Sequence, residues 1–507
     1  MEAPEAGRSM VSSSEPISSA TVLVLAPDAA GELQLVCVHR DPSLSFLGGF
    51  AAFPGGQCDP GESLAETCAR EAFEEVGLLL VPGGDAVPPA RRHALQAEVL
   101  AGKPFADVLV GLGLQLEPSW FVRCGRWVTP PSGSALVDTA FRMVLLERPT
   151  PLHVVPGELT SAEWVSPRAL LERWTGDRVR LVPPTRKSVE ALSALPALAG
   201  GAREAWLGAA AAAVEARCPS AAAQWEGDVD VHPGIRVFPV RTPTLPPATH
   251  TNCYVVGAGS ELVVIDPASP YPEEQARLDA FLDALAAGGQ RVREILLTHH
   301  HPDHVGGVNH LARRLGVPVA AHPRTTAHLT DVEVSRELAD QELIVLPADR
   351  PNARERRLRA HLTEGHADGH LVFHEEHTGV VVTGDMVAGV GTILVAPPEG
   401  CMITYLASLE RMRALGGTLL LPAHGLPLGD PDGTVTRYVA HRKMREDRVV
   451  AALARGAGTL CQLVPRVYDD VPREVYPLAE RSLHAILLKL EAEGRAAVAD
   501  TRWSATG

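Results

Sequence analysis

Residues 298–304 read THHHPDH and follow the apolar run EILL at 294–297, which has the character of a buried strand. Imidazole and carboxylate are the groups that zinc prefers, and His299, His301, Asp303 and His304 place four of them within six residues. Three more candidates end apolar runs or lie in glycine-rich turns: His366 in TEGHADGH, Asp385 in VVVTGDM and His424 in LLLPAHG. A water held between two metals is acidic enough to act as hydroxide near neutral pH. The pattern therefore predicts a two-metal hydrolytic site.

The order H-x-H-x-D-H, followed by a later His, Asp and His, resembles the signature of the metallo-β-lactamase superfamily. That resemblance implies an αββα sandwich with two Zn²⁺ at its edge, with Mn²⁺ or iron as alternative metals. The implied residues are His299, His301 and His366 at one ion, Asp303, His304 and His424 at the other, Asp385 between the ions, and Asp266 of VVIDP behind the ligands. Asp303 is also a candidate catalytic residue. His370 is the alternative to His366, because H-x3-H offers either side chain.

A second chemical pattern occupies residues 56–78, GQCDPGESLAETCAREAFEEVGL. On a helix, Glu71, Glu74 and Glu75 fall at i, i+3 and i+4 and share one face. Carboxylates so close together favour a hard divalent cation such as Mg²⁺, which binds carboxylate oxygen and bridges to phosphates. Arg70 can hold one carboxylate through two hydrogen bonds, and Gly77 can end the helix.

The complete spacing G-x5-E-x7-R-E-x2-E-E-x-G resembles the signature of the Nudix hydrolases, which cleave nucleoside diphosphates linked to another group. The resemblance implies an α/β/α sandwich in which Glu74 and Glu75 are the chief ligands of Mg²⁺ or Mn²⁺. Glu71 is then a further ligand or the base that activates water, Arg70 orients the glutamates, and Glu62 lies further out. Residues 46–56, FLGGFAAFPGG, look like the branch that hydrolyses CoA and acyl-CoA.

The order of these patterns predicts a multidomain protein of mixed α/β and α+β class. From residue 365 onward the chain resembles the β-lactamase-like protein 2 family, whose members append a winged helix and include an endoribonuclease acting on single strands. The predicted organisation is a disordered leader at 1–19, a Nudix domain at 20–190, a helical connector at 191–228, a metallo-β-lactamase-fold domain at 229–435 and a winged helix at 436–507.

Composition separates the two halves and limits the partners. Seventeen of the 20 His lie beyond residue 230, so the halves are expected to do different chemistry. The eight Cys are scattered without a C-x-x-C pair, which is typical of reduced thiols. We expect a cytoplasmic protein without membrane contact, because no signal peptide and no apolar run of about 20 residues is visible. The net charge of −15 argues against indiscriminate binding to nucleic acid.

These patterns favour a bifunctional hydrolase. The first site would cleave the diphosphate of CoA, acyl-CoA or another nucleoside diphosphate derivative, and the second would cleave a phosphodiester in single-stranded RNA. Ester or thioester hydrolysis is the alternative for the second site, because the same hydroxide attacks carbonyls. A sensor that binds nucleotides or RNA without turnover is the alternative from another class, although both sets of catalytic positions are complete. The oligomeric state is left open.

Overall fold

The structure, a computed structural model, describes residues 16–44, 46–129, 136–198, 203–218, 230–350 and 353–506. Most of the predicted leader lies outside these ranges, and its last residues differ from the prediction, because the first strand already begins at Ile17. That strand pairs with a partner far along the chain, Ile17 opposite Val137, so backbone hydrogen bonds order it. None of the described helices combines the length and the apolar composition needed to cross a bilayer.

The first domain is a mixed sheet covered by helices on both faces. Its strands are β1 (Ile17–Pro27), β2 (Leu33–Arg40), β3 (Ala51–Ala52), β4 (Gly55–Gln57), β5 (Val122–Val128), β6 (Val137–Leu145) and β7 (Leu159–Val165), in the order β3-β2-β1-β6-β5, with β4 beside β1 and β7 beside β2. Its helices are α1 (Leu64–Val76), α2 (Pro89–Leu100), α3 (Phe105–Leu112), α4 (Pro167–Thr175), α5 (Pro183–Ser193) and α6 (Arg203–Glu215). One buried cluster joins α1–α3 to the sheet and another joins α4–α6 to it, which gives three layers.

Helix α6 is a correction to the predicted connector at 191–228. Its small residues Ala210, Ala211 and Val214 are buried in the same cluster as Leu23 and Leu25 of β1. The helix therefore covers the sheet of the first domain, because an alanine-rich face lets a helix lie close to a strand. The rest of the predicted connector falls partly on residues 199–202 and 219–229, outside the described ranges.

The second domain contains two sheets packed face to face. The first sheet runs β14-β13-β12-β11-β10-β9-β8 and the second β15-β16-β17-β18-β19. Their strands are β8 (Asp230–His232), β9 (Ile235–Arg241), β10 (His250–Val256), β11 (Glu261–Ile265), β12 (Arg291–Leu296), β13 (Val319–Ala321), β14 (Arg336–Glu337), β15 (Leu343–Leu346), β16 (Arg356–Leu362), β17 (Leu371–Glu375), β18 (Val380–Gly384) and β19 (Leu419–Pro422). The helices are α7 (Pro272–Ala287), α8 (Pro302–Val305), α9 (Val308–Leu315), α10 (Pro323–His328) and α11 (Met402–Arg413).

Three buried clusters make this domain a four-layer sandwich. One fills the space between the sheets, a second packs α7 and α9 on the first sheet, and a third packs α11 on the second. Strand β11 runs parallel to β12, and β18 runs parallel to β19. Because parallel strands end at the same edge, each sheet delivers two chain segments to one rim.

The C-terminal part consists of α12 (Pro431–Ala454), α13 (Leu460–Val467), α14 (Tyr476–Ala492) and a hairpin of β20 (Ala496–Ala499) and β21 (Arg502–Ala505). This is the predicted three helices and wing. The predicted boundary at 436 falls inside α12, because one continuous core runs from Val372 and Val381 of the second sheet to Trp503 of the hairpin. The winged helix is therefore fused to the sandwich rather than tethered to it.

The first and second domains meet at a close backbone contact. Gly429 lies against Gly48 so tightly that a Cβ placed on Gly429 would be 1.8 Å from the Gly48 carbonyl oxygen. Nearby, Arg180 Nη2 donates a 2.6 Å hydrogen bond to the carbonyl of Thr418. Phe50 of the first domain is 1% exposed and belongs to the buried cluster between the two sheets of the second.

The Gly48–Gly429 contact predicts a side-chain size limit. Gly429→Ala should lower the free energy of unfolding by about 1–3 kcal/mol, because the added methyl must displace backbone rather than a flexible side chain. Gly111→Ala in α3, whose Cβ would meet nothing within 4 Å, is the matched control and should leave stability unchanged or slightly higher. Urea or thermal unfolding of the full chain measures both, and equal behaviour of the two variants would contradict the contact.

Candidate metal centres

The glutamates of the first domain are positioned by α1, whose ends are both fixed. At its start, the Ser63 hydroxyl accepts from the Glu66 amide while the Glu66 carboxylate accepts from the Ser63 amide, a capping box. At its end, Gly77 adopts φ 68°, a left-handed conformation that suits glycine. Cys68, Ala72 and Val76 are completely buried on the sheet side. The opposite side therefore presents Glu71 and Glu74, as the sequence predicted.

Arg70 lies among the carboxylates and holds several at once. Its Nε and Nη2 donate to the two oxygens of Glu62 at 2.8 and 3.0 Å, so Glu62 receives the two-bond contact. Its Nη1 donates to Glu71 Oε1 at 2.8 Å and to Glu74 Oε2 at 3.1 Å. Glu75 instead accepts from the Gly55 amide at 3.2 Å. A single guanidinium thus fixes the orientation of three carboxylates.

The charge at this site is strongly unbalanced. Burial raises the pKa of Glu71 to about 7 against the opposing effect of Arg70, and burial together with Glu71 raises the pKa of Glu75 well above its usual value. Burial also raises the pKa of Glu74. Raised carboxyl pKa values mean that the ionised forms lack sufficient positive charge around them. A divalent cation with oxygen ligands supplies that charge, so the residues fit the predicted Mg²⁺ or Mn²⁺.

A cavity of about 730 Å³ opens over these glutamates. Gly56 lines it beside α1, where a Cβ would lie 2.4 Å from Glu71 Oε1, which explains the glycine at the start of the motif. Glu158 also lines the cavity, and its charge raises the pKa of Glu71 and Glu75. The sequence analysis missed Glu158, since it follows β6 in a loop with no motif around it.

In the second domain, three imidazoles converge as predicted for the first ion. His299 Nε2 lies 3.0 Å from His301 Nδ1, and His366 Nε2 lies 3.1 Å from the same atom. Burial, reinforced by neighbouring imidazoles, lowers the pKa of His299 well below its usual value, and burial lowers that of His301 to about 2. These side chains are therefore neutral, the form in which imidazole binds a metal.

The predicted ligands of the second ion form an adjoining group. Asp303, His304 and His424 can bring one ligand atom each within 4.8 Å of one another. Asp385 lies between the two groups: its Oδ2 is 3.4 Å from His366 Nε2, while its Oδ1 is 3.6 Å from His304 Nε2 and 3.4 Å from His424 Nε2. One carboxylate oxygen therefore faces each group, which fits the bridging role that the resemblance implied.

The outer ring nitrogens are held by the protein, which leaves the inner ones for a ligand. His366 Nδ1 donates to the Leu394 carbonyl at 2.8 Å, and His424 Nδ1 donates to the His250 carbonyl at 2.9 Å. His304 Nδ1 donates to Asp266 Oδ2 at 2.8 Å. Each contact fixes the tautomer so that Nε2 is an acceptor directed into the cluster.

Two buried polar atoms test whether metal ions fit this cluster. Among the described residues, His304 Nε2 and Asp385 Oδ1 have no hydrogen-bond partner although both are buried. An unsatisfied buried acceptor pair is unfavourable unless something cationic lies between. Although burial opposes it, His424 and His304 keep the pKa of Asp385 well below its usual value, so Asp385 is a carboxylate. The donor set of imidazole and carboxylate fits zinc or a similar divalent ion.

Asp266 supports the cluster from behind. Its Oδ1 accepts from the Thr298 amide at 2.8 Å and its Oδ2 from the Thr298 hydroxyl at 2.6 Å, in addition to the bond with His304. Asp266 adopts φ 50°, a left-handed conformation that is uncommon outside glycine. These contacts hold the end of β11 against the turn that begins the His-rich segment.

The remaining histidines near the cluster are accounted for. His370 Nε2 accepts from the Asp385 amide at 3.1 Å and Nδ1 lies 3.0 Å from the Thr363 hydroxyl, so this geometry favours His366 as the ligand. His300 turns away from the cluster, as its position between two ligands suggested, and lies 2.8 Å from Glu399. The sequence analysis did not anticipate that Glu399 contact.

The cluster opens into a second cavity of about 670 Å³. One wall belongs to the winged helix and includes Tyr468, Val475 and Arg481. Arg445, on α12, also lines it and is paired with Asp470 at 2.7 Å. Arg481 is exposed, and no ion pair to it occurs within the described residues. The winged helix thus forms part of the site.

Replacement of Asp266 should change the amount of metal that the protein retains. Asp266→Asn should weaken metal binding about 10- to 100-fold, because His304 loses the carboxylate that fixes its tautomer. Asp279→Asn is the matched control, since Asp279 contacts His310 at the same 2.8 Å but outside the cluster. Elemental analysis after dialysis against graded chelator measures both variants. Equal retention of metal by the two would show that Asp266 does not act through His304.

Three family models match the chain. The metallo-beta-lactamase superfamily model covers residues 246–424, the beta-lactamase associated winged helix domain covers 459–503, and the NUDIX domain covers 17–102. The first two lie side by side over the fused sandwich and winged helix, and the third includes the whole of α1. The expectations for the three folds are therefore confirmed.

Individual relatives match the second half. Lactamase-like protein nscB from Arthroderma gypseum is 32% identical over 260 residues, which cover 48% of this chain and 77% of that protein. Beta-lactamase-like protein 2 homolog from Drosophila melanogaster is 28% identical over 48% of this chain and 83% of its own length. Atrochrysone carboxyl ACP thioesterase from Aspergillus fumigatus is 28% identical over 44% of this chain and 70% of its own length. The chain therefore belongs to the metallo-beta-lactamase superfamily and is a hydrolase in which that domain is joined to a NUDIX domain and a winged helix.

Proposed function

We propose that the protein is a bifunctional metal-dependent hydrolase whose two clusters perform separate reactions. The observation that carries this proposal is the presence of two chemically different ligand sets, one of carboxylates and one of imidazoles with carboxylates. Each opens into its own cavity, and the two cavities share no lining residue. A protein that only bound nucleotides would have no need for two complete sets.

At the first site, Glu74 and Glu75 are the chief ligands of Mg²⁺ or Mn²⁺. A divalent cation there would neutralise charge on a diphosphate and polarise the bond to be broken. Arg70 holds Glu71 through Oε1, which leaves Oε2 to bind the ion or to take a proton from water. Water then adds across one P–O bond, the hydroxyl going to phosphorus and the proton to the departing phosphate oxygen. The likeness of residues 46–56 to CoA and acyl-CoA diphosphatases supports a CoA-type diphosphate as the substrate.

Glu74→Gln tests this assignment without removing volume. Hydrolysis of CoA to phosphopantetheine, followed by chromatography with Mg²⁺ or Mn²⁺ present, should fall at least about 100-fold, since an amide is a poor ligand for a hard cation. Glu66→Gln on the same helix is the control, because glutamine preserves the capping box at Ser63. Unchanged hydrolysis in Glu74→Gln would contradict the assignment of a diphosphatase to the first site. Absence of cleavage of CoA, ADP-ribose and NADH by the wild type would contradict it as well.

At the second site, His299, His301 and His366 would hold one ion and Asp303, His304 and His424 the other, and Asp385 lies between the two groups. Two Zn²⁺ ions there would acidify water and hold both the attacking and departing oxygens of a phosphodiester. The Arg481 guanidinium on the cavity wall can bind a phosphate of a single strand, and His441, whose pKa burial and Arg442 lower, can donate a hydrogen bond as a neutral imidazole. Arg481, together with the likeness to the β-lactamase-like protein 2 family, supports single-stranded RNA as the substrate.

Thioester hydrolysis is the second candidate at this site. The same cavity is lined by apolar residues such as Leu245, Ile393 and Leu478, which suit an acyl chain better than a sugar-phosphate backbone. The similarity to an acyl carrier protein thioesterase points the same way. The two candidates differ in whether the exposed guanidinium of Arg481 or the apolar wall meets the substrate.

His301→Ala tests the second site and separates the candidates. We expect cleavage of a labelled single-stranded RNA to fall at least about 100-fold, because one ion loses a ligand. His377→Ala, an exposed histidine of the same domain, is the control. If His301→Ala loses hydrolysis of octanoyl thioesters but not cleavage of RNA, the result would favour the second candidate. If His301→Ala changes neither reaction, the two-metal assignment is wrong.

A further inference from the structure

The cavity over the glutamates is not closed by the first domain alone. Four residues of its lining come from the second domain: Val231, Val237, Leu426 and Pro427. Val231 lies in β8, the edge strand of the first sheet of the sandwich, and Val237 lies in the adjacent β9. Leu426 and Pro427 follow the metal-cluster residue His424 by two and three positions. The second domain therefore contributes apolar surface to the cavity of the first site, although the glutamates of that site all belong to the first domain.

This composite wall joins apolar residues of the first domain. Leu47, Phe50 and Val182 line the same cavity, and Phe50 is buried in one cluster with Val231 and Val237. Within the chain, Phe50 is five residues from Gly55, whose amide binds Glu75, so the Cα atoms of Phe50 and Gly55 lie at most about 18 Å apart. The cavity thus combines a cation-binding part and an apolar part within the reach of one elongated ligand.

The wall is fixed in place by the contacts between the domains. The Gly48–Gly429 approach permits no side chain, and Gly429 lies only two residues beyond Pro427. Asp177 of the first domain pairs with Arg354 at 3.2 Å and lies 3.3 Å from His232, next to Val231. Opening the junction would also separate the buried Asp177 carboxylate from the buried Arg356 guanidinium, 3.7 Å away, and leave each without that partner.

We propose that the sandwich domain supplies the apolar wall that binds the acyl chain of an acylated CoA-type diphosphate, and so sets the chain-length specificity of the first site. The proposal rests on the diphosphatase function given above. Transfer of an acyl chain from water to such a wall is favourable, because apolar surface is removed from water. Unacylated CoA ends in a free thiol and leaves the wall uncovered. Leu426 is the residue whose size decides how long a chain fits.

Two substitutions of Leu426 with opposite changes in size test the proposal in the full-length protein. Leu426→Trp should lower the ratio of kcat/KM for octanoyl-CoA to that for CoA about tenfold or more, since the larger ring fills space that the chain needs. Leu426→Ala should move the preferred substrate toward longer chains, measured with octanoyl-CoA and palmitoyl-CoA. Leu428→Ala is the matched control, because Leu428 is in the same loop but packs against the core of the winged helix and second sheet.

A binding measurement makes the test independent of turnover. Titration calorimetry with octanoyl-CoA and with CoA, in EDTA, should give the same shift in affinity ratio for Leu426→Trp. Equal weakening of both ligands would overturn the proposal and indicate that a nucleobase lies on the wall. An unchanged ratio in both Leu426 variants would overturn it as well. If the wild type cleaves neither compound but the binding ratio shifts as expected, the diphosphatase assignment fails while the wall stands.

Discussion

The carboxylate of Asp266 is the contact on which the metal cluster of the second domain depends. It binds the backbone and hydroxyl of Thr298 and one nitrogen of His304, and so joins the ends of β11 and β12. Because β18 and β19 end at the same rim, Asp385 and His424 face the segment that Asp266 holds. Seven ligands from four chain segments can meet only where parallel strand ends of both sheets come together.

The two clusters differ in how the protein environment shifts the pKa values of their closely spaced side chains. In the first domain, Arg70 partly compensates buried carboxylates, and their raised pKa values show that the compensation is incomplete. In the second domain, burial lowers the pKa values of His299, His301 and His366, whereas Asp385 raises the pKa of His304 against burial, so a metal ion bound at His304 Nε2 would take the place of that proton. A hard cation matches the carboxylate set and a borderline cation matches the imidazole set, so the two ligand sets differ in the class of cation that they fit.

The three domains pack against one another and share parts of their cores and cavities. Helix α12 belongs to both the sandwich and the winged helix, whose core is continuous, and the winged helix forms one wall of the second cavity. The loop that begins at His424 borders both cavities, since His424 faces one and Leu426 the other. Each cavity is therefore completed by residues of a neighbouring domain, and a domain expressed alone would lack part of its cavity wall.

The sequence by itself determined the local chemistry: the glutamates that share a face of α1, the HHHPDH segment after a strand, and the three fold types. These follow from helical periodicity and from ligand spacing over a few residues, which local structure preserves. Only the tertiary structure decided that α6 covers the first sheet, that Glu158 lies beside Glu71, and that Leu426 lines a cavity whose glutamates lie some 350 residues earlier in the chain. Such contacts depend on how whole sheets and domains dock, and apolar residues that pack at a junction carry no pattern that differs from those of any other core.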